Sequence, residues 1–395
     1  MSEFGRQVII VAMPFEVYLR TGSTIAVGIL AAVELVSILG LSMPAGAMAD
    51  AWDRRRLLMI TQAVLCLCGL TLALTAFVPD SPIVLIYVVA MVSSATTAID
   101  RPSRKAALYS IVDPKLMNSA VAVDQASTQL AGVCGPAVAG LVIGALSLGA
   151  AFALAAVGFV VMVACLLTLH VTLSPAMAPI RRLKGVGDGV RFVRSRPVIL
   201  STMAIDFTAM VFGFPSALFP VLALTVFHVG APGLGLLAAA PAVGALIASL
   251  LSGSLSGIRR KGRGVIVFVC LWGLAIALFG LSSFSFPIAL ACLVLAGACD
   301  IAAAVLRSSI VQNNTPDAMR GRVTSIHLLA VTAGPRLGDL EATAVASLTS
   351  VGLSIVSGGI LCILGALAVA KAFPALRDFD EKLVAAPPID RAVSA

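Results

Sequence analysis

Charge is what this sequence has least of. Only 12% of its 395 residues are Asp, Glu, Lys or Arg, against about a quarter in an ordinary soluble domain. That scarcity, with 59% hydrophobic residues and a mean hydropathy of +1.06, excludes burial of the chain in one aqueous core. Histidine is sparse too: His170, His228 and His327 are scattered, and no C-x-x-C pair occurs among the eight cysteines. Cys66, Cys68, Cys134, Cys165, Cys270, Cys292, Cys299 and Cys362 lie in or beside apolar runs, where they read as small packing residues rather than metal or disulfide partners. There is no G-x-x-x-x-G-K-[ST] loop to cradle a nucleotide phosphate. The interfacial His/Asp/Glu cluster that a lipid-modifying membrane enzyme needs is missing as well. No cofactor and no metal is therefore expected.

What is present is apolar sequence in helix-sized lengths. A membrane-crossing helix takes about 20 mostly apolar residues. Eleven such runs lie near 24–48, 57–78, 82–103, 119–146, 149–170, 198–227, 232–257, 264–283, 286–311, 323–347 and 351–373. A twelfth, Val8 to Tyr18, is about half the needed length. "QVIIVAMPF" could be a signal peptide, but no A-x-A-like site follows it. The reading adopted is a first transmembrane helix lacking its opening half.

Basic residues set the expected orientation, because Lys and Arg concentrate in cytoplasmic loops. They gather at Arg54–Arg56, at Arg181, Arg182, Lys184, Arg191, Arg194 and Arg196, at Arg259–Lys261 and Arg263, at Arg320 and Arg322, and in the tail. The alternate loops carry none except Arg20. The central loop and C-terminus are thus expected in the cytoplasm, in a multi-pass plasma-membrane protein. The net charge of +8 is this topology signal and an attraction to anionic lipid, not a sign of a nucleic-acid partner.

The chain also resembles itself. "VDPKLMNSAV" aligns with "NTPDAMRGRV", placing Pro114 on Pro316, Met117 on Met319 and Val121 on Val323. "GPAVAG" from Gly135 aligns with "GPRLGD" from Gly334, and "GAMADAWDRRRLL" has a weaker echo in "GSLSGIRRKGRGV". Two homologous six-helix halves are expected, 1–173 and 198–373, joined by 174–197 and followed by a tail, 374–395. Parallel halves facing each other suggest alternating access around a central cavity.

The stretch "GAMADAWDRRR" resembles the cytoplasmic signature of the major facilitator superfamily, at Gly46, Asp50, Asp53, Arg54 and Arg55. Gly46 permits close helix approach, Asp50 suits a helix N-terminus, and the arginines can pair with carboxylates or helix C-termini, so the loop reads as a conformational latch. "QLAGVCGPAVAG" resembles the fifth-helix signature of exporters in that superfamily, at Gly135, Pro136 and Gly140. Pro136 can kink the helix and the glycines permit tight packing. "AMPFEVYLRTGSTIAV" and "TPDAMRGRV" are similar to the enterobactin-exporter branch. The resemblance implies a twelve-helix, all-α integral membrane protein that moves a siderophore or another amphipathic small molecule outward by proton antiport. A lipid-modifying enzyme and an inactive fragment remain as alternatives. A monomer in the bilayer is expected, with protons and a small-molecule substrate as its partners.

Ionisable groups at bilayer depth cost roughly 2.5–3.5 kcal/mol each at a helix centre, so each is a functional candidate. Glu34 and Asp206 have no basic neighbour in sequence; desolvation then favours the protonated form, and both are proton-coupling candidates. Arg307 and Arg336 suit an anionic substrate, and Arg101 and Arg104 suit a gate beside the Gly46 loop. Mutual neutralisation is the blander account, for Asp300 with Arg307 above all. In "GPRLGDLE", Arg336 and Asp339 are spaced to pair on one helical face, facing the cavity. Glu341 lies about 200° round from Asp339.

Overall fold

The computed structural model describes residues 1–78, 81–168, 182–255, 257–377 and 379, without the side chains of 42–51, 114, 118, 182–186, 254, 255, 317 and 318. Among the described residues there are helices and no strands. Six long helices form a first bundle: α1 (Ser2–Thr21), α2 (Thr24–Ala51), α3 (Arg54–Phe77), α4 (Ile83–Ile111), α5 (Met117–Ala145) and α6 (Leu148–Thr168). A second bundle holds α7 (Pro197–Phe212), α8 (Gly230–Leu250), α9 (Lys261–Leu281), α10 (Phe286–Asn313), α11 (Asp317–Leu348) and α12 (Val351–Ala372). A short helix, Arg182–Ser195, leads into α7 and lies against α11.

Ten spans are long and apolar enough to cross a membrane, one of them Pro197–Val226, which takes in α7 and the turns after it; α1 and α11 are not among them. α11 is interrupted by Arg336, Asp339 and Glu341 but has 32 residues, or about 48 Å at 1.5 Å per residue. Leu74, Leu141 and Leu364 are exposed on the outer faces, as side chains bathed in lipid require.

The first helix extends beyond the apolar run that marked it in the sequence. α1 runs for 20 residues from Ser2 to Thr21, about 30 Å, so the helix is longer than its apolar core Val8–Tyr18. Polar Ser2, Glu3, Arg6 and Gln7 hid its opening turns. They are helical because small residues let neighbours approach: a Cβ on Gly5 would lie 2.7 Å from the Ala155 carbonyl of α6.

The span expected over 198–227 is present as Pro197–Val226, but it is broken within. α7 stops at Phe212, and the chain continues through a 3₁₀ turn, Ser216–Leu218, into a π-helical turn, Leu222–Val226. Pro215 and Pro220 deny the ladder two donors. The break is stabilised from outside: Trp272 Nε1 donates to the freed Gly213 carbonyl at 2.9 Å.

The halves meet along two helix pairs, α2 with α11 and α5 with α8. At both, backbones come close toward the end opposite the basic loops. A Cβ on Gly140 (α5) would sit 2.6 Å from the Ala231 carbonyl and 2.7 Å from Gly235 Cα of α8. Gly28 (α2) packs directly on Thr343 (α11). This end of the molecule is shut. Arg20 lies there too, and its place among uncharged loops is accounted for: it donates to the Thr75 carbonyl ending α3 at 2.6 Å and to Ser81 Oγ at 2.6 Å. Glu16, one turn back and almost fully buried, holds the same guanidinium.

Candidate functional site: a charged cavity between the halves

Between the two bundles lies a cavity of about 540 Å³, lined from both halves. Its floor is at mid-depth, by Glu34, Arg336 and Asp339, and it reaches Arg6, Arg101 and Ser325 on the side of the basic loops. The rim there is exposed at Arg101, Ser325 and Leu328.

The floor is one connected network. Arg336 Nε lies 2.8 Å from Glu34 Oε2, an ion pair that joins α11 to α2 and so one half to the other. Arg336 Nη1 lies 3.4 Å from Asp339 Oδ2, one turn along its own helix. Asp339 Oδ1 accepts from Ser216 Oγ and from the Ala217 backbone N–H, each at 2.8 Å. Those donors belong to the turn after the α7 break, which has no helical acceptor for them. Asp339 therefore caps a helix fragment while it shares an arginine with Glu34. Glu341 makes no ion pair among the described residues and stands apart from this network.

A second network lies inside the second half. Arg307 Nη2 of α10 lies 2.6 Å from Asp206 Oδ1 of α7 and 3.7 Å from Asp300 Oδ1 on its own helix. His327 Nδ1 of α11 lies 3.7 Å from Asp206 Oδ2. Asp206 is 2% exposed while the imidazole is 43% exposed, so the histidine stands between the carboxylate and the open side.

Several expectations change with this geometry. Glu34 and Asp206 lack basic neighbours in sequence, yet each is paired with an arginine from another helix. Arg307 and Arg336 do not stand as free cations: each is shared by two carboxylates. Arg104 Nη2 lies 2.7 Å from Asp100 Oδ2, and Asp100 Oδ1 also accepts from Gln62 Nε2 at 2.7 Å and Thr61 Oγ1 at 3.0 Å. Arg101, by contrast, lines the cavity, with Glu3 3.9 Å away.

The basic loop after α2 is partly described. Gly46 and Asp50 lie outside the described residues apart from their place in α2. Asp53 Oδ1 accepts from the Arg56 backbone N–H at 3.0 Å and caps α3. Arg55 donates through Nε and Nη2 to the Leu166 and Leu167 carbonyls, both at 3.0 Å. It thus binds the C-terminal end of α6, where unpaired carbonyls and the helix dipole favour a cation. Arg54 Nη1 is 3.5 Å from the Ala106 carbonyl of α4. In α5, Gly135 sits against Gln7 of α1, Pro136 lines the cavity, and Gly140 makes the crossing with α8. One short motif therefore packs the first half internally, shapes the cavity and joins the halves.

A family model described as transmembrane secretion effector matches residues 1–392. The chain belongs to this family, within the major facilitator superfamily. The enterobactin exporter EntS of Citrobacter koseri is 26% identical over 358 residues, 90% of this chain and 86% of that protein. EntS of Shigella flexneri is 26% identical over 362 residues, with the same coverage. Among solved structures, a bacterial homologue of the lysosomal transporter Spinster, inward-facing and unoccupied, superposes with a TM-score of 0.74 at 13% identity, covering 95% of each chain. A D-xylose–proton symporter gives 0.74 at 11% identity, over 95% of this chain and 96% of that one. The fold is that of a transporter, not an enzyme, and among the described residues no metal-holding cluster of His, Cys, Asp and Glu occurs.

Sequence reasoning missed Glu16, His327 and the buried Arg6. Glu16 with Arg20 was readable from its spacing of four on a helix. Arg6 with Glu3, three residues apart, was open to the same spacing argument, whereas His327 carried no local signal because its partner Asp206 comes from another helix.

Proposed function

We propose that this transporter exports an amphipathic small molecule, such as a siderophore, by proton antiport with alternating access. The halves, 1–173 and 198–373, rock about the cavity, the linker 174–197 joins them, and the tail 374–395 and basic loops face the cytoplasm. The chain acts as a monomer in the plasma membrane.

One observation carries the coupling. In each network two carboxylates share one arginine: Glu34 and Asp339 with Arg336, Asp206 and Asp300 with Arg307. Counting charges gives a residual −1 in each, inside or at the edge of a region where uncompensated charge is costly. A single proton cancels it. A substrate or a conformational change that alters water access to the network then alters proton affinity, and that linkage is what antiport requires.

The test uses everted membrane vesicles with and without an imposed pH gradient, and enterobactin, the compound named for the EntS relatives, as probe. Gradient-driven accumulation is expected in the unaltered protein and its loss in Glu34→Gln or Asp206→Asn. Full gradient-driven accumulation in both variants would sink the coupling assignment.

A further inference from the structure

The floor of the cavity is electrically anionic in sum, and the opposite charge lies toward its rim. Arg6 and Arg101 both line the cavity on that side. One carboxylate serves them: Glu3 contacts Arg6 Nη2 and stands 3.9 Å from Arg101 Nη2. The next arginine, Arg104, is already held by Asp100 and Ser2 Oγ. A +1 excess remains on the wall formed by α1 and α4.

Arg6 is the more enclosed of the two. It is 7% exposed, and its Nε and Nη1 have no hydrogen-bond partner and are shielded from bulk water. An unmet buried donor on a charged group is costly, and a native site that keeps one calls for a missing acceptor. The backbone beneath is fixed: Gly135 allows α5 to press on Gln7, and Gly158 lies against Gly5 and the Met1 carbonyl. The guanidinium, on a flexible stem, is therefore the part that can turn into the cavity it lines. Its planar donor array suits an oxyanion, and Gln7 beside it lines the same wall. Apolar Ile10, Leu30, Phe214 and Leu234 line the cavity further in.

We propose that Arg6 and Arg101 form an oxyanion subsite for the carboxylate of an amphipathic substrate, whose apolar body lies deeper in the cavity. Resting on the exporter reading for its physiological meaning, this subsite names the charge of the exported molecule and the wall that reads it.

The test is equilibrium binding to the purified full-length chain in lipid nanodiscs, with 1-naphthoate and its neutral counterpart 1-naphthamide. The naphthoate is expected to bind more tightly. Arg6→Gln and Arg101→Gln should each weaken naphthoate binding about tenfold or more, as loss of a charge-assisted contact does, leave naphthamide unchanged, and Arg6→Lys should recover part of the loss. If Arg6→Gln fails to fold, the rim variant Arg101→Gln alone decides. Equal affinity for the two probes in the unaltered chain overturns the subsite, as does equal weakening of both, or no saturable naphthoate binding at millimolar concentration. If naphthoate discrimination holds but a pH gradient drives no transport, the antiport reading falls and the subsite stands.

Discussion

Replacing Gly140 with alanine puts a methyl group where two halves of a transporter touch. Its Cβ would lie 2.6 Å from the Ala231 carbonyl oxygen, 2.7 Å from Gly235 Cα and 2.9 Å from Gly235 N. All three are backbone atoms, so no side chain can swing aside. Ordinary contact needs about 3.5 Å, so α5 and α8 must part by about 0.9 Å at this crossing. Overpacking of this kind costs roughly 1–3 kcal/mol. Because the contact joins the halves rather than folding either one, the cost falls on the state in which this end is shut. A penalty of that size corresponds to a shift of about 5–150-fold in the closed-to-open ratio. Spin labels at Ser23 and Thr349, in the loops of that end, report the distance between halves on a cysteine-free background. Gly140→Ala should move population from the short to the long distance. Gly358→Ala is the control, since its Cβ meets the Phe212 carbonyl at 2.7 Å within the second half; it should lower thermal stability without moving the distance. An unchanged distribution in Gly140→Ala, or an equal shift in the control, refutes the argument.

Other perturbations test other joints. Trp272→Phe removes the donor to the Gly213 carbonyl and leaves that acceptor buried and unpaired, a loss of about 1–3 kcal/mol; a thermal midpoint equal to the parent's would show that the α7 break is stabilised elsewhere. Arg20→Gln strips Glu16 of its cation and should cost about 3–5 kcal/mol, with Glu16→Gln added on top restoring part of it in a denaturation double-mutant cycle; strict additivity contradicts the pair. Arg55→Lys loses the fork that reaches two α6 carbonyls at once. It should slow transport while expression and thermal midpoint stay near the parent's, and an unaffected rate argues against a latch at this point.

Hydropathy made most of the helices legible, because lipid-facing and buried surfaces of a spanning helix are both apolar and leave a long run. The contact of Arg336 with Asp339 was legible for a different reason: three residues along a helix is a fixed geometry. Pairing between helices was not. Nothing local links Asp206 to Arg307 or Glu34 to Arg336, since each depends on how two helices are rotated about their axes. The extent of α1 was hidden by the charges in its first two turns, which interrupt the apolar run. Gly213 and Pro215 did signal a break, but the surrounding run was apolar enough to read as one span.

The two carboxylate–arginine networks look alike in composition and differ in what they connect. Asp206, Asp300 and Arg307 belong to one bundle, with His327 between Asp206 and the open side. Glu34 and Arg336 belong to opposite bundles. In the proposed antiport this difference assigns them different work. Protonation of Glu34 leaves Arg336 to Asp339 alone and removes an ionic tie between the halves. Protonation within the second network leaves the ties between halves untouched and alters only the packing of α7, α10 and α11. A proton at Glu34 thus biases the conformational equilibrium directly, while one at Asp206 can do so only through α11, the helix that carries both His327 and Arg336. α11 is the one element common to both networks, to the inter-half contact at Thr343 and to the capped break in α7, and on this geometry it is the part through which proton occupancy reaches the rocking of the halves.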